Sequence, residues 1–255
     1  MNQTQTSIVI TGASSGLGAA LAEAYAMPNV TLGLLGRNKT RLAEISYICS
    51  EKGAKVETGI IDVRDNAILQ DWIEQFDSSH PIDLLIANAG ISAGAGGQHE
   101  AQKMVKDIFA INVDGVINSV LPVIPLMKTR GSGQIAIISS LAGLRGLPSC
   151  PAYSASKAAV RMFGEGLRGD LKGNGIGVSV VCPGYIRTPM TDVNDFPMPF
   201  IMEADEAAQI IMHGLSKNKA RIAFPLALYV PLLILSWLPV SLTDPLFAAL
   251  PKKSG

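Results

Sequence analysis

Apolar residues follow two rhythms along the chain. Short runs at Ser7 to Thr11, Val30 to Leu35, Lys55 to Ile61, Ile82 to Ala87, Gln134 to Ser139 and Ile176 to Cys182 are too brief for helices. They are bounded by Gly, Asn, Asp or Pro, which predicts strands, and most are apolar enough to be buried on both faces. Between them apolar positions recur at spacings of three and four. Leu42, Ile45, Ile48 and Cys49 form one such stripe, closed by Gly53; Ile68, Leu69, Trp72, Ile73 and Phe76 form another, opened by Asp65 as an N-cap. Strands alternating with helices through right-handed crossovers predict an α/β fold with one doubly wound parallel sheet covered on both faces.

Arg221 to Phe224 predicts a last strand, so residues 1–224 read as one α/β unit and residues 225–255 as a separate apolar tail. From Ile222 to Leu250 the only charge is Asp244, and Pro225, Pro231, Pro239 and Pro245 break any continuous helix. Broken helices carrying Leu232, Leu233, Ile234, Leu235, Trp237 and Leu238, with Tyr229 and the terminal Lys252 and Lys253, predict peripheral docking at a membrane interface rather than a span. The alternative is that the tail covers the substrate mouth or is buried between subunits.

Composition narrows the partners. Twenty-one basic and 21 acidic side chains give zero net charge, which removes nucleic acid from the expected partners. Three scattered cysteines, Cys49, Cys150 and Cys182, argue against disulfides or structural zinc, and scattered His80, His99 and His213 predict no metal site. The polar start MNQTQTS lacks a basic segment ahead of an apolar one, so a cytoplasmic location is expected, with attachment to the cytoplasmic face of a membrane if the tail docks.

The first strand runs into Thr11-Gly12-Ala13-Ser14-Ser15-Gly16-Leu17-Gly18 and then an alanine-rich helix. Glycines at such a turn let the backbone approach a pyrophosphate, whose charge meets unpaired N–H groups and the positive end of the helix. A Rossmann-like dinucleotide site is therefore expected. The second strand ends Leu35-Gly36-Arg37-Asn38, with no carboxylate for a ribose 2′-hydroxyl and one arginine for a 2′-phosphate, which predicts NADP(H) over NAD(H). The alternative is that Arg37 is a solvated loop charge and Asn38 caps the next helix.

Farther on, Ser139-Ser140 ends a strand, and Tyr153 and Lys157 stand four apart on a helical face. A neighbouring ammonium is expected to lower the phenol's pKa toward neutrality, letting the pair exchange a proton with an alcohol or carbonyl oxygen that Ser140 holds.

These motifs resemble the short-chain dehydrogenase/reductase family, in its branch of about 250 residues, from Ser7 to Phe224. TGASSGLG resembles the family's cofactor loop, Asp62-Val63 its adenine-contacting pair, and Asn88-Ala89-Gly90 its NAG stretch, with Ala87 where a further Asn is common. Asn112, Ser140, Tyr153 and Lys157 match its catalytic positions, and Pro183-Gly184 with Ile186 and Thr188 its nicotinamide-contacting loop. The resemblance implies hydride transfer between a nicotinamide and a carbonyl or secondary alcohol. Tyr153 would be the acid or base, Ser140 would hold the oxygen, Lys157 would bind the ribose and tune Tyr153, and Asn112 would support a relaying water. Ser140 is preferred to Ser139 because its spacing of thirteen to Tyr153 is the family's usual one. A homodimer or homotetramer is implied as well. Ser15 stands where NADP-preferring relatives often carry a basic residue, leaving Arg37 alone to favour NADP. The family's lid region is here apolar, with Phe196, Met198, Phe200, Ile201 and Met202, and together with the tail it predicts a lipophilic, 3-oxoacyl-like substrate. A catalytically silent cofactor-binding or membrane-docked interaction protein is the alternative.

Overall fold

The computed structural model describes residues 6–92, 102–148 and 150–248. Its strands are β1 (Ser7–Thr11), β2 (Thr31–Gly36), β3 (Lys55–Ile60), β4 (Leu84–Ala87), β5 (Gly133–Ile138), β6 (Ile176–Pro183) and β7 (Arg221–Phe224). They form one parallel sheet in the order β3-β2-β1-β4-β5-β6-β7, with Val9 opposite Gly33 on one side and Leu85 on the other. The chain steps outward from β1 through β2 to β3 and then returns to place β4 on the other flank of β1. That reversal opens a crevice at the carboxyl ends of β1 and β4, where ligands of such sheets bind.

The helices are α1 (Gly16–Tyr25), α2 (Lys39–Glu51), α3 (Asn66–Ser79), α4 (Gln102–Phe109), α5 (Gly115–Val120), α6 (Val123–Arg130), α7 (Pro151–Leu171), α8 (Ala204–Ser216), α9 (Leu226–Trp237) and α10 (Val240–Ala248). Two apolar layers clasp the sheet: Ile8, Ile10 and Leu34 face Leu21, Leu42 and Ile211, while Val9, Leu35 and Leu85 face Ile73, Phe76 and Val120. On the second face Trp72 and Phe76 stack with centroids 5.1 Å apart, and a Cβ on Gly33 would come within 2.7 Å of Trp72. A missing side chain in β2 is what lets α3 lie this close, and burying a side chain the size of Phe76 contributes about 1.5–3 kcal/mol.

Asp65 caps α3 as expected, accepting from the Ile68 N–H, and Asn38 caps α2 by accepting from the Arg41 N–H. Two stripes are narrower than expected, because Ile48 and Ile68 face solvent. β3 departs further: Lys55, Glu57, Thr58 and Ile60 are exposed, since β3 is the sheet's edge and only one flank has a neighbour. Gln102–Arg130, carrying α4 to α6 and a π turn at Ala110–Asp114, is long and apolar enough to cross a membrane, but half of its most apolar stretch is buried within the fold.

Beyond β7 the tail forms two short helices with Pro231 and Pro245 inside them. Leu228, Tyr229 and Leu232 pack on Leu141, Val180 and Cys182, and Thr243 and Phe247 are buried. Leu226, Val230, Ile234, Trp237, Leu242 and Leu246 face outward, with Trp237 78% exposed. Lys252 and Lys253 lie outside the described residues, as does His99.

Candidate active site

At the crevice the β1–α1 turn folds against the end of β4. Thr11 Oγ1 accepts from the Asn88 and Ala89 N–H groups, and Asn88 Nδ2 donates to the carbonyls of Thr11 and Gly12. Gly12 and Gly16 have φ of +69° and +56°, and a Cβ on Gly18 would sit 2.3 Å from the Gly12 carbonyl oxygen. Ser15 stands at the N-cap of α1 without a side-chain cap bond. The unpaired N–H groups of α1 therefore open toward a cleft of about 650 Å³.

Ser14, Leu17, Arg37, Asp62, Val63 and Gly90 line this cleft with the glycine turn, and so do Ser140, Tyr153, Lys157, Pro183, Gly184, Ile186 and Thr188. These residues come from the ends of every strand except β7 and from α7, and only the shared sheet edge brings them together. The glycine turn with a close-approach cradle, a basic end and a hydroxyl-bearing end fits a nicotinamide dinucleotide.

Asp62, the expected adenine contact, is held by Arg64, whose Nη2 is 2.7 Å away and whose backbone N–H donates at 3.0 Å. The Arg64 hydrogen bond holds its carboxyl down at about 2. Arg37 reaches Asp62 only at 3.5 Å and stays largely solvated, so its guanidinium has hydrogen-bonding capacity to spare. Arg41, one turn into α2, lines the same end of the cleft. It stands four residues beyond Arg37, in the first turn of α2 after the Asn38 cap.

The serine pair divides its work. Ser139 Oγ donates to the Lys157 carbonyl at 2.7 Å, tying β5 to α7. Ser140 Oγ accepts from the Ala142 N–H at 3.1 Å and donates to the Pro183 carbonyl at 3.4 Å, and it lies near enough to the Tyr153 hydroxyl to pull its pKa down. Lys157 is buried, donates to the Ile138 carbonyl at 2.9 Å, and holds its Nζ 5.8 Å from the Tyr153 ring centre. The expected lowering of the phenol is absent: burial pushes Tyr153 up to about 12 against the pull of the Ser140 hydroxyl, and burial pushes Lys157 down to about 8. A half-buried phenol loses hydration of its anion, and the lysine is turned toward a carbonyl.

Asn112 does not line the cleft. Fully buried in the π turn, it accepts from the Ile91 N–H at 2.8 Å and donates to the Ile91 carbonyl and to Ser156 Oγ at 2.9 and 3.0 Å. Both ends of its side-chain amide are committed to the scaffold behind Gly90, where a Cβ would be 3.2 Å from Asn112 Oδ1 and 3.3 Å from Lys157 Nζ. Ile91, Ile111, Pro189, Met190 and Thr191 also line the cleft without having been expected. Thr191 is fixed there by donating to the Ile186 carbonyl at 2.7 Å, a contact no motif signals. Of the expected lid, Phe196 sits edge-on to Tyr185 at 6.2 Å and Met202 bridges to Ile186, whereas Phe200 is exposed.

The profile of the short chain dehydrogenases matches residues 6–196. An uncharacterized oxidoreductase of Myxococcus xanthus is 36% identical over 237 residues, covering 92% of this chain and 94% of that protein. The ketoacyl reductase HetN of a Nostoc species is 36% identical over 190 residues, covering 74% and 66%. A short-chain dehydrogenase from Sphingobium yanoikuyae in complex with NADPH superposes with a TM-score of 0.81 at 26% identity, covering 98% of each chain. A short-chain dehydrogenase/reductase from Burkholderia phymatum in complex with NAD gives 0.82 at 26%, covering 90% of this chain and 93% of its own.

The chain belongs to the short-chain dehydrogenase/reductase family. It is an oxidoreductase of CH–OH and C=O groups that uses a nicotinamide cofactor.

Proposed function

We propose that the chain interconverts a lipophilic ketone and its secondary alcohol with NADP(H) in preference to NAD(H), a 3-oxoacyl compound being the favoured substrate class. The observation that carries the cofactor choice is the pair Arg37 and Arg41 at one end of the cleft, with no carboxylate at the end of β2. The name of the Nostoc relative and the apolar lining from Ile91, Ile186 and Met190 favour the substrate class.

Bound NADPH would supply the hydride. The turn from Gly12 to Gly18 would hold the pyrophosphate, Asp62 and Val63 would border the adenine, and Asn88, Ala89 and Gly90 would form the adjoining wall. Pro183, Gly184, Ile186 and Thr188 would flank the nicotinamide. Tyr153 and Ser140 converge on the carbonyl oxygen. A phenol that stays protonated suits reduction, in which Tyr153 Oη delivers a proton to the forming alkoxide while Ser140 Oγ hydrogen-bonds the same oxygen. Lys157 holds its position through the Ile138 carbonyl and is placed to meet the ribose. Asn112 acts from behind, fixing Ile91 and α7 through Ser156.

The outward apolar face of α9 and α10 favours peripheral contact with a membrane, on its cytoplasmic side, and the long helices favour a homodimer or homotetramer. Light scattering and sedimentation with liposomes test these two points. The cofactor reading is tested by fluorescence titration with NADPH and NADH. NADPH is expected to bind about tenfold tighter, a preference of ~1.4 kcal/mol that Arg37→Ala and Arg41→Ala together remove. Equal or tighter binding of NADH overturns it. A panel of 3-oxoacyl thioesters and short polar ketones then decides the substrate class.

A further inference from the structure

The segment just after Ser140 is braced by the tail along two routes. One runs through Arg145, which sits between Ser140 and Tyr153 in sequence. Its Nη2 donates to Thr243 Oγ1 at 3.2 Å and Asp244 Oδ1 at 3.1 Å, and its guanidinium lies 5.0 Å from the centre of the Phe247 ring. Thr243 and Phe247 are the buried residues of α10, so Arg145 holds the point where that helix meets the body. Asp244 is the one charge between Ile222 and Leu250, and it is spent on this contact.

The second route passes through α7. Arg161 Nε donates to the Gly143 carbonyl at 3.3 Å and its Nη1 to Glu165 at 3.2 Å. Glu165 also accepts from Arg221, whose other nitrogen donates to Tyr229 Oη on α9 at 3.2 Å. Leu228 and Leu232 of α9 close the same space by packing on Leu141 and its neighbour Leu144. The braced segment has little slack: a Cβ on Gly143 would come within 2.8 Å of the Lys157 backbone. Displacing Leu141 to Arg145 would therefore disturb the spacing of Ser140 from Tyr153 and Lys157.

We infer that the C-terminal helix pair is a brace for the catalytic segment, with Arg145 its positioning residue, rather than an appendage to a finished enzyme. Its inner face sets the angle of Ser140 toward the substrate oxygen, while its outer face stays available for other contacts. At the other end of the cleft Arg37, Arg41 and Asp62 lie away from both braces, whereas a Cβ on Gly184 would come within 3.4 Å of Leu228 of α9, so the effect falls on the end that holds Ser140. This rests on the proposed role of Ser140.

The test compares the full chain with Arg145→Ala, Asp244→Asn and Arg145→Lys. Cys150 is half-buried at the end of the braced loop, while Cys49 and Cys182 are buried with thiols pushed up to about 11 by burial, so an aromatic disulfide reagent reads Cys150 selectively. Cys150→Ser verifies that assignment. Arg145→Ala is expected to speed labelling about fivefold or more and to lower kcat for a medium-chain 3-oxoacyl thioester about tenfold. NADPH affinity should stay within about twofold, and Arg145→Lys should reverse most of the change in labelling and in kcat. Asp244→Asn, which removes only the ion pair, should give a smaller change in the same direction. Unchanged labelling and kcat in Arg145→Ala, or a parallel loss of NADPH affinity, overturns the inference. If the wild-type chain binds NADPH but reduces no thioester or ketone, the proposed substrate fails while labelling still decides the brace.

Discussion

Asn112→Ala separates a scaffolding asparagine from a chemical one. The side chain makes three hydrogen bonds at 2.8, 2.9 and 3.0 Å, two of them to the backbone of Ile91. Removing it strands an N–H and a C=O that cost about 1–3 kcal/mol each when buried without partners. Ile91 is only half-buried, so water recovers part of that, and the expected loss is about 2–4 kcal/mol. For a domain of this size each kcal/mol moves Tm by about 2–4 °C, so the midpoint should fall on the order of 10 °C. Ser156→Ala removes the third bond together with the one Ser156 Oγ donates to the Tyr153 carbonyl at 2.7 Å and should cost about 1–2 kcal/mol, with a double-mutant cycle isolating the part shared with Asn112. Urea denaturation of the three variants, followed by tryptophan fluorescence, measures these values. Stability within about 0.5 kcal/mol of wild type, with turnover lost, would refute the reasoning and return Asn112 to the chemistry.

Ser140→Ala should reduce turnover by about a hundredfold and cost about 1 kcal/mol of stability through the lost Ala142 bond, whereas Ser139→Ala should cost a similar stability through the Lys157 carbonyl with turnover largely kept; steady-state assays beside thermal melts distinguish them. Gly18→Ala would push a Cβ to within 2.3 Å of the Gly12 carbonyl and 2.5 Å of Asn88 Nδ2, so the turn must shift; NADPH affinity measured by titration should fall about tenfold or more. Asp62 falls from an ordinary 3.8 to about 2 in the folded chain, so its contribution is present above the higher value and is lost as pH drops toward the lower one. Asp62→Asn should accordingly be less stable than wild type at pH 7, with the gap closing by about pH 2; a gap that widens on acidification contradicts the sign.

Sequence alone determined the layered sheet and the chemistry at its mouth. Strand-length apolar runs between amphipathic stripes leave few ways to bury both, and a glycine turn, a strand-end serine and a Tyr-Lys pair at one helical spacing are local features a reader can see. Local features also marked Asp65 and Asn38 as caps, because a cap bonds within three residues. What the sequence could not decide depends on which distant groups become neighbours. Lys55 to Ile61 reads as one strand among several, and only the sheet order leaves it at the edge. Tyr153 reads as a lowered phenol until burial is counted and Lys157 is found donating to Ile138. Asn112 reads as an active-site residue, and only the fold shows both ends of its amide bonded to Ile91 and Ser156. The tail reads as a pair of apolar helices, and only the folded chain pairs Arg145 with Asp244, 99 residues away, and so joins that tail to the loop between Ser140 and Tyr153. Desolvation and long-range pairing are properties of packing, and they have no period along the chain.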